Sequence, residues 1–213
     1  MQDSYKHKGM RKQLIENLRV QGIEDERILD AFERVPRHFF LDAVFAEQAY
    51  TNMAFQIGSG QTISHPFTVA FQTQLLDLKK GEKVLEVGSG SGYQTCILAA
   101  LGAKVFSIER HKELHLKAKR MVQHFGFNAR LTFGDGYKGR PTYAPFDKVI
   151  ITCGAPEIPE SLLDQLKIGG IMVIPLGEGE KQQMKRIVKT EEGLEIQDFG
   201  VFSFVPMLEN KVK

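Results

Sequence analysis

Three glycines at alternate positions are the residues of this chain best suited to hold a cofactor. Gly88, Gly90 and Gly92 follow Lys83–Val87, a short apolar segment typical of a β-strand, and precede Thr95–Leu101, which has the composition of a helix. Glycines at a strand-to-helix turn let the backbone fold tightly and let a ligand approach it closely. The segment therefore predicts a nucleotide-type cofactor on an α/β sheet.

A carboxylate further along supports this interpretation. Lys104–Ile108 is predicted to be the next strand, and it leads into Glu109. An acidic side chain about 20 residues after the first glycine is placed to accept hydrogen bonds from ribose hydroxyls. The pattern is Gly-x-Gly-x-Gly, and Tyr93 occupies the position where a dinucleotide site has its third glycine. The alternative is a glycine-rich turn in an unrelated α/β domain, with Glu109 as a surface charge.

Composition favours an enzyme of ordinary globular type. The 213 residues predict one domain, in which residues 1–80 form a helical cap over the active site and residues 81–213 form the cofactor-binding sheet and a C-terminal hairpin. A net charge of +2 produces no strong field, so no nucleic-acid partner is expected. No apolar run resembles a signal peptide or membrane span. Two cysteines, both expected to be reduced, indicate a cytoplasmic location.

The order of the predicted elements indicates a mostly parallel sheet. Two amphipathic helices precede the glycine turn, and a third is predicted to begin near Ser64 because Pro66 suits a first helical turn. Strands and helices then alternate, with a predicted helix over Pro159–Lys167 and a strand over Gly170–Pro175. Two final strands without a helix between them predict a hairpin that adds an antiparallel strand. These features fit a methyltransferase that uses S-adenosyl-L-methionine better than a dehydrogenase.

The chain also resembles one family, the protein-L-isoaspartate O-methyltransferases. The resemblance covers most of the chain and is carried by the following stretches, in the order of the family: Arg37-x-x-Phe40, Ala49-Tyr50, Gln61-Thr62-Ile63-Ser64-x-Pro66, Val84–Tyr93, Ile108-Glu109-Arg110, Gly134-Asp135-Gly136, Ala144–Asp147, Leu166-Lys167-x-Gly169-Gly170 and Phe204-Val205-Pro206. The Thr-Ile-Ser-x-Pro and Gly-Asp-Gly pair is the most specific part. The chain departs from the family pattern at His65, at Phe67 and over Thr152–Ala155.

The resemblance implies a fold, a reaction and a set of residues. The fold would be Rossmann-like class I methyltransferase, a mostly parallel seven-stranded sheet with an antiparallel C-terminal strand, helices on both faces and extra N-terminal helices. The reaction would be methyl transfer from S-adenosyl-L-methionine to the free α-carboxylate of L-isoaspartyl residues in damaged proteins and peptides, which starts repair through a succinimide. The enzyme would be a monomer. Ser64 would be catalytic, and His65, Val205 and Pro206 would lie near the substrate. The cofactor would be held by Thr62, Ile63, Gly88, Ser89, Gly90, Gly92, Glu109, Arg110, Asp135 and Gly136.

Several alternatives stay open at this point. Ser64 beside a helix start is suited to cap that helix, and its hydroxyl could also orient a carboxylate together with the helix N-terminus. His111 and His115 have a spacing that could share a metal, but a solvated helix face fits better, and no metal site is expected. Rival functions are a nucleic-acid or small-molecule methyltransferase, an NAD(P)-dependent oxidoreductase and a protein that binds the cofactor without catalysis.

Overall fold

The N-terminal part of the chain is helical, as the sequence predicts. A computed structural model describes residues 2–212. Helices α1 (Tyr5–Val20) and α2 (Glu26–Arg34) come first, and two 3-10 segments cover Arg37–Phe40 and Ala43–Gln48. Asp25 caps α2 by accepting the N–H of Arg27 at 3.0 Å, which confirms its predicted role. The apolar stripes of both helices pack against the first helix of the sheet, so this part shares a core with the rest.

A small hairpin links the helical part to the sheet. Strands β1 (Phe55–Gly58) and β2 (Gln61–Ile63) pair antiparallel, and helix α3 (Pro66–Leu75) follows. The remaining elements are β3 (Lys83–Val87), α4 (Tyr93–Ala100), β4 (Lys104–Glu109), α5 (Lys112–His124), β5 (Ala129–Phe133), β6 (Phe146–Ile151), α6 (Glu160–Asp164), β7 (Leu166–Leu176), β8 (Gln182–Lys189) and β9 (Leu194–Phe202).

The seven strands β3–β9 form one sheet in the order β5-β4-β3-β6-β7-β8-β9. The first five are parallel, β8 runs antiparallel to both of its neighbours, and β9 therefore points the same way as the parallel strands. The predicted mostly parallel sheet, C-terminal hairpin and N-terminal helices are confirmed. Parallel strands are buried on both faces, which explains why β3 is apolar almost throughout.

Neighbouring residues of β3 show how the two faces are filled. Val84 packs with Leu98 of α4 on one face, whereas Leu85 packs with Phe146 and Leu162 on the other. This alternation follows from the two-residue period of a strand. It fixes the height and direction at which β3 delivers its last residue, Val87, to the carboxyl edge.

One predicted boundary is wrong. The helix predicted over Pro159–Lys167 ends at Asp164, and β7 begins at Leu166 instead of Gly170. Leu166 is buried and pairs with Phe146, after which the register shifts and the chain bulges before pairing resumes at Ile171. Gly169 adopts a φ of +76° in this bulge, a conformation that suits glycine. Long-range pairing of Leu166 thus overrides the local helical pattern.

Candidate active site

The predicted glycine turn lies where β3 ends, at the carboxyl edge of the sheet. Gly88, Gly90 and Gly92 have φ angles of +98°, +51° and +86°, which only glycine adopts at little cost. The Gly88 N–H donates to the carbonyl of Ile108 at 2.9 Å, which ties the turn to β4. A Cβ on Gly92 would lie 3.1 Å from Cα of Ala118, so this glycine allows α4 and α5 to pack closely. The turn is thus rigid and its backbone accessible.

Glu109 fastens the same turn to the end of β4. Its Oε2 accepts the N–H of Gly90 at 2.8 Å, and its Oε1 accepts the N–H of His111 at 2.9 Å. The side chain is almost wholly buried, and it also borders the cavity described next. A carboxylate oxygen has two lone pairs, so each oxygen retains one for a further donor. The geometry suits the two hydroxyls of a ribose.

A cavity of about 800 Å³ opens beside Glu109. Its floor is the edge of β3 and β4, one wall is β2 with the residues after it, and the opposite wall is the segment that follows β9. The lining residues that the argument uses are Thr62, Ile63, Ser64, Gln72, Gly88, Ser89, Gly90, Tyr93, Gln94, Ile108, Glu109, Arg110, Gly136, Cys153, Val205, Pro206, Met207 and Leu208. Its size is that of a small-molecule site.

Most of the residues singled out in the sequence meet in this cavity. Those that line it are Thr62, Ile63, Ser64, Gly88, Ser89, Gly90, Glu109, Arg110, Gly136, Val205 and Pro206. Three are not in the lining. Gly92 lies behind the turn, and His65 is exposed at the start of α3. Asp135 uses one carboxylate oxygen to accept the N–H of Tyr137 at 3.0 Å and the other to accept the N–H of Asn210 at 3.1 Å.

Ser64 lines the cavity and does not cap α3. Within residues 2–212 its side chain makes no hydrogen bond, and the residue that precedes the helix is His65. The N–H of Phe67 in the first turn of α3 is instead capped by Oδ1 of Asn52 at 3.0 Å. Because Asn52 performs the capping, the hydroxyl of Ser64 is free to bind a ligand.

Sequence reasoning missed several polar residues of the cavity. Gln72 and Gln94 come from α3 and α4, and each uses its side-chain amide to hold a neighbouring element: Gln72 Nε2 donates to the carbonyl of Ile151 at 3.0 Å, and Gln94 Nε2 donates to Oγ1 of Thr73 at 2.9 Å. No motif marks them. The only sequence signal is that each is a polar residue on an otherwise apolar helix face.

Burial keeps two groups near the cavity neutral. Cys153 lines the cavity, and desolvation raises the pKa of its thiol to about 12, so a nucleophilic thiolate is disfavoured. Glu86 is fully buried in β3. Desolvation raises the pKa of its carboxyl to about 7, although hydrogen bonds from Ser107 and Thr95 act in the opposite direction.

A second cluster of polar side chains lies in the helical part. Asp3, His7 and His38 are close enough together for a shared ion. The carboxylate oxygens of Asp3, however, accept hydrogen bonds from Arg11 at 3.0 and 3.1 Å, and the two imidazole rings stack face to face at 3.9 Å. The cation that faces this carboxylate is thus the guanidinium, and the cluster fastens α1 to the segment around His38.

The sheet order and the site define a class I methyltransferase fold. A glycine turn follows the first parallel strand, a carboxylate ends the second, and one reversed strand lies near the far edge. The chain belongs to the protein-L-isoaspartate(D-aspartate) O-methyltransferase family, whose model matches residues 9–212.

Relatives and a solved structure agree with this assignment. The protein-L-isoaspartate O-methyltransferase of Christiangramia forsetii is 52% identical over 99% of this chain and 100% of its own length. That of Flavobacterium psychrophilum is 53% identical over the same shares. A Plasmodium falciparum structure, described as a protein-L-isoaspartate O-methyltransferase in complex with S-adenosyl-L-homocysteine, is 27% identical with a TM-score of 0.83, covering 94% of this chain and 99% of that one.

The described helices also bear on membrane insertion. Within residues 2–212, no helix combines the length and the apolar character needed to cross a bilayer.

Proposed function

We propose that this chain transfers a methyl group from S-adenosyl-L-methionine to the free α-carboxylate of L-isoaspartyl residues in proteins and peptides. One observation carries the proposal: a single cavity joins the glycine turn and Glu109 to the free hydroxyl of Ser64 and to Pro206. A methyl donor at the first pair and a carboxylate acceptor at the second would therefore meet inside one enclosed space.

The chemistry of the lining fits the cofactor along its length. Glu109 offers lone pairs to ribose hydroxyls, and the exposed backbone of Gly88 and Gly90 leaves room for the chain that carries the sulfonium. Ile108 and Leu208 border the cavity with apolar surface suited to a flat purine ring. When bound, S-adenosyl-L-methionine supplies an activated methyl group on a positively charged sulfur.

The residues of the chain have to orient the acceptor and exclude water. A carboxylate with a pKa near 4 is already ionised at neutral pH, so the site needs no strong general base. Ser64 would donate a hydrogen bond to one carboxylate oxygen and so direct the other oxygen toward the methyl group. Val205 and Pro206 would cover the acceptor from the opposite wall. Holding the reacting atoms in line supplies much of the rate enhancement.

The product would continue without further help from the protein. Attack of the neighbouring backbone nitrogen on the methyl ester expels methanol and closes a succinimide ring. Hydrolysis of that ring regenerates a normal aspartyl bond in part of the molecules. The proposed role is therefore repair of damaged aspartyl and asparaginyl sites.

Transfer of labelled methyl groups tests this function directly. Paired synthetic peptides, one with L-isoaspartate and one with L-aspartate, are incubated with the enzyme and S-adenosyl-L-methionine labelled in the methyl group. We expect base-labile label on the isoaspartyl peptide only. Transfer to neither peptide, with cofactor binding intact, would refute the substrate and retain the fold. Base-stable label on nucleic acid would instead identify the rival methyltransferase.

Replacement of Ser64 separates its proposed role from a structural one. We expect Ser64→Ala to lower kcat/KM for the isoaspartyl peptide at least tenfold and to leave the melting temperature within 1 °C, since loss of a hydrogen bond to a charged group costs about 1.5–3 kcal/mol. Ser203→Ala, at an exposed serine beyond β9, is the matched control and is expected to retain wild-type kinetics.

Location, assembly and domain structure form a second part of the proposal. Cys96 and Cys153 are both free thiols, which supports action in a reducing compartment such as the cytoplasm. We propose a monomer without a nucleic-acid partner, in which residues 1–80 and 81–213 unfold as one domain, because α1 and α2 share a core with α4. Sedimentation and calorimetry test this: a dimer, or two separate unfolding transitions, would contradict it.

A further inference from the structure

The segment after β9, residues 203–212, crosses the carboxyl edge of the sheet, and we call it the C-terminal strap. It pairs first with Gly154 after β6, where the Gly154 N–H donates to the carbonyl of Val205 at 2.8 Å and the Met207 N–H donates to the carbonyl of Gly154 at 2.7 Å. It ends beside β4, where the Val212 N–H donates to the carbonyl of Arg110 at 2.8 Å. Because β3 lies between β6 and β4, the strap passes over the glycine turn.

Two charged side chains hold the strap at one residue, Asn210. Asp135 Oδ2 accepts the N–H of Asn210 at 3.1 Å, and Arg110 Nε donates to its carbonyl at 3.0 Å. Arg110 Nη2 also donates to the carbonyl of Glu209 at 3.0 Å. Both polar groups of one backbone position are therefore bound by opposite charges. Hydrogen bonds to charged groups are roughly twice as strong as neutral ones.

The conformation of Asn210 shows why such a clamp is needed. Its φ is +63°, in the left-handed region that residues other than glycine rarely adopt and that asparagine tolerates best. The strap turns sharply at this point. Without Arg110 and Asp135, little would hold this turn against more extended alternatives.

The turn places apolar side chains of the strap against the cavity. Met207 is buried, and its Cε lies 3.5 Å from where a Cβ on Gly136 would stand. Leu208 lines the cavity and is nevertheless 47% exposed, so much of its apolar surface is available to a ligand. Both residues lie at the end of the cavity formed by Ile108 and Gly136, away from Ser64.

We infer that Arg110 and Asp135 are positioning residues, which build the purine-binding wall of the cofactor site by fixing the C-terminal strap at Asn210. The wall itself consists of Met207 and Leu208, which cover one face of the ring. This inference rests on the proposed use of S-adenosyl-L-methionine. It assigns to Arg110 and Asp135 an action through the strap in place of direct contact with the cofactor.

Hydrogen–deuterium exchange and calorimetry on the full chain test the assignment, with S-adenosyl-L-homocysteine as the probe. Arg110→Lys keeps the charge and loses the fork that binds two carbonyls. We expect at least tenfold faster exchange in residues 205–212 without ligand and at least tenfold weaker binding of the probe. The KM for isoaspartyl peptide at saturating S-adenosyl-L-methionine should stay within twofold. Arg19→Lys, on the exposed face of α1, is the matched control for both readouts.

A second pair of variants separates the wall from its fastening. Leu208→Gln is expected to weaken binding of the probe several-fold while strap exchange stays at the wild-type rate. Asp135→Asn is expected to raise strap exchange, with Asp198→Asn on β9 as its control. Weaker binding in Arg110→Lys with unchanged strap exchange would show direct contact and overturn the inference, as would faster exchange with unchanged affinity.

Failure of the proposed function gives a different pattern. If the wild-type protein does not bind S-adenosyl-L-homocysteine at all, the proposed cofactor is wrong. The exchange of residues 205–212 in Arg110→Lys and Asp135→Asn still reports whether these side chains hold the strap, because that measurement needs no ligand.

Discussion

The carboxylate of Glu109 accepts the backbone N–H of Gly90 at 2.8 Å, so the acid that ends β4 also fixes the glycine turn that follows β3. The two residues are the strongest sequence signals of the chain, and in the folded protein they form one unit. Any change in the side chain of Glu109 therefore affects both the ribose acceptor and the shape of the turn.

We expect Glu109→Gln to weaken binding of S-adenosyl-L-homocysteine by about 10- to 100-fold, in line with about 1.5–3 kcal/mol for a hydrogen bond to a charged group. The amide would turn its NH₂ group toward the N–H of either Gly90 or His111, both of which now donate to oxygen. Calorimetric titration measures the effect. Glu113→Gln, at an exposed position of α5, is the control, and equal affinities in the two variants would contradict this role for Glu109.

Gly136 is expected to tolerate no side chain. A Cβ there would lie 2.5 Å from Cγ1 of Val87, which is itself buried, so Gly136→Ala should lower the free energy of unfolding by about 1–3 kcal/mol, the usual cost of overpacking. Gly9→Ala is the matched control. Gly9 lies inside α1 with open space around it, so alanine should stabilise the protein by about 0.5–1 kcal/mol. Urea unfolding distinguishes the two, and a stabilised Gly136→Ala variant would be inconsistent with the packing.

Asn52 is expected to contribute stability where Ser64 contributes activity. Its side chain caps the N–H of Phe67, and loss of a cap costs about 1 kcal/mol, which corresponds to about 2–4 °C in the melting temperature of a protein this size. Asn52→Ala should therefore melt earlier than wild type and keep kcat close to it. The opposite outcome, a stable variant with low activity, would mean that Asn52 belongs to the site.

Glu86 is expected to make stability fall with rising pH. Burial raises the pKa of its carboxyl from 4.5 to about 7 in the folded protein, so the folded state retains a proton that the unfolded state has lost. Stability from this group is complete below pH 4.5 and is lost as the pH rises to about 7. The difference between the two pKa values corresponds to about 3 kcal/mol.

The variant Glu86→Gln isolates this effect. Its side chain cannot ionise, so at pH 8 it should be more stable than wild type, and at pH 4.5 the two should be nearly equal. His38, whose pKa is lowered to about 4 by burial and by neighbouring His7, has the opposite pH dependence, but it is present in both proteins and cancels in their difference. Urea unfolding from pH 4.5 to 8 measures that difference, and a constant difference would rule out this titration.

The sequence by itself determined the elements whose causes are local. Glycines at alternate positions after an apolar strand, the capping residue Asp25 and the alternation of strands with helices follow from backbone sterics and side-chain period, so the glycine turn, α2 and the parallel sheet were predictable. Glu109 was predictable because its distance from Gly88 along the chain is set by one helix and one strand.

Only the tertiary structure decided which groups act on one another across long separations in the chain. That Asn52 caps α3 and leaves Ser64 free, that Leu166 pairs with Phe146 and shortens α6, and that Arg110 and Asp135 clamp Asn210 all depend on residues brought together by the sheet order. A side chain of given type makes whichever hydrogen bond its surroundings offer, and those surroundings are set by packing. Motifs therefore located the site, and packing assigned the parts within it.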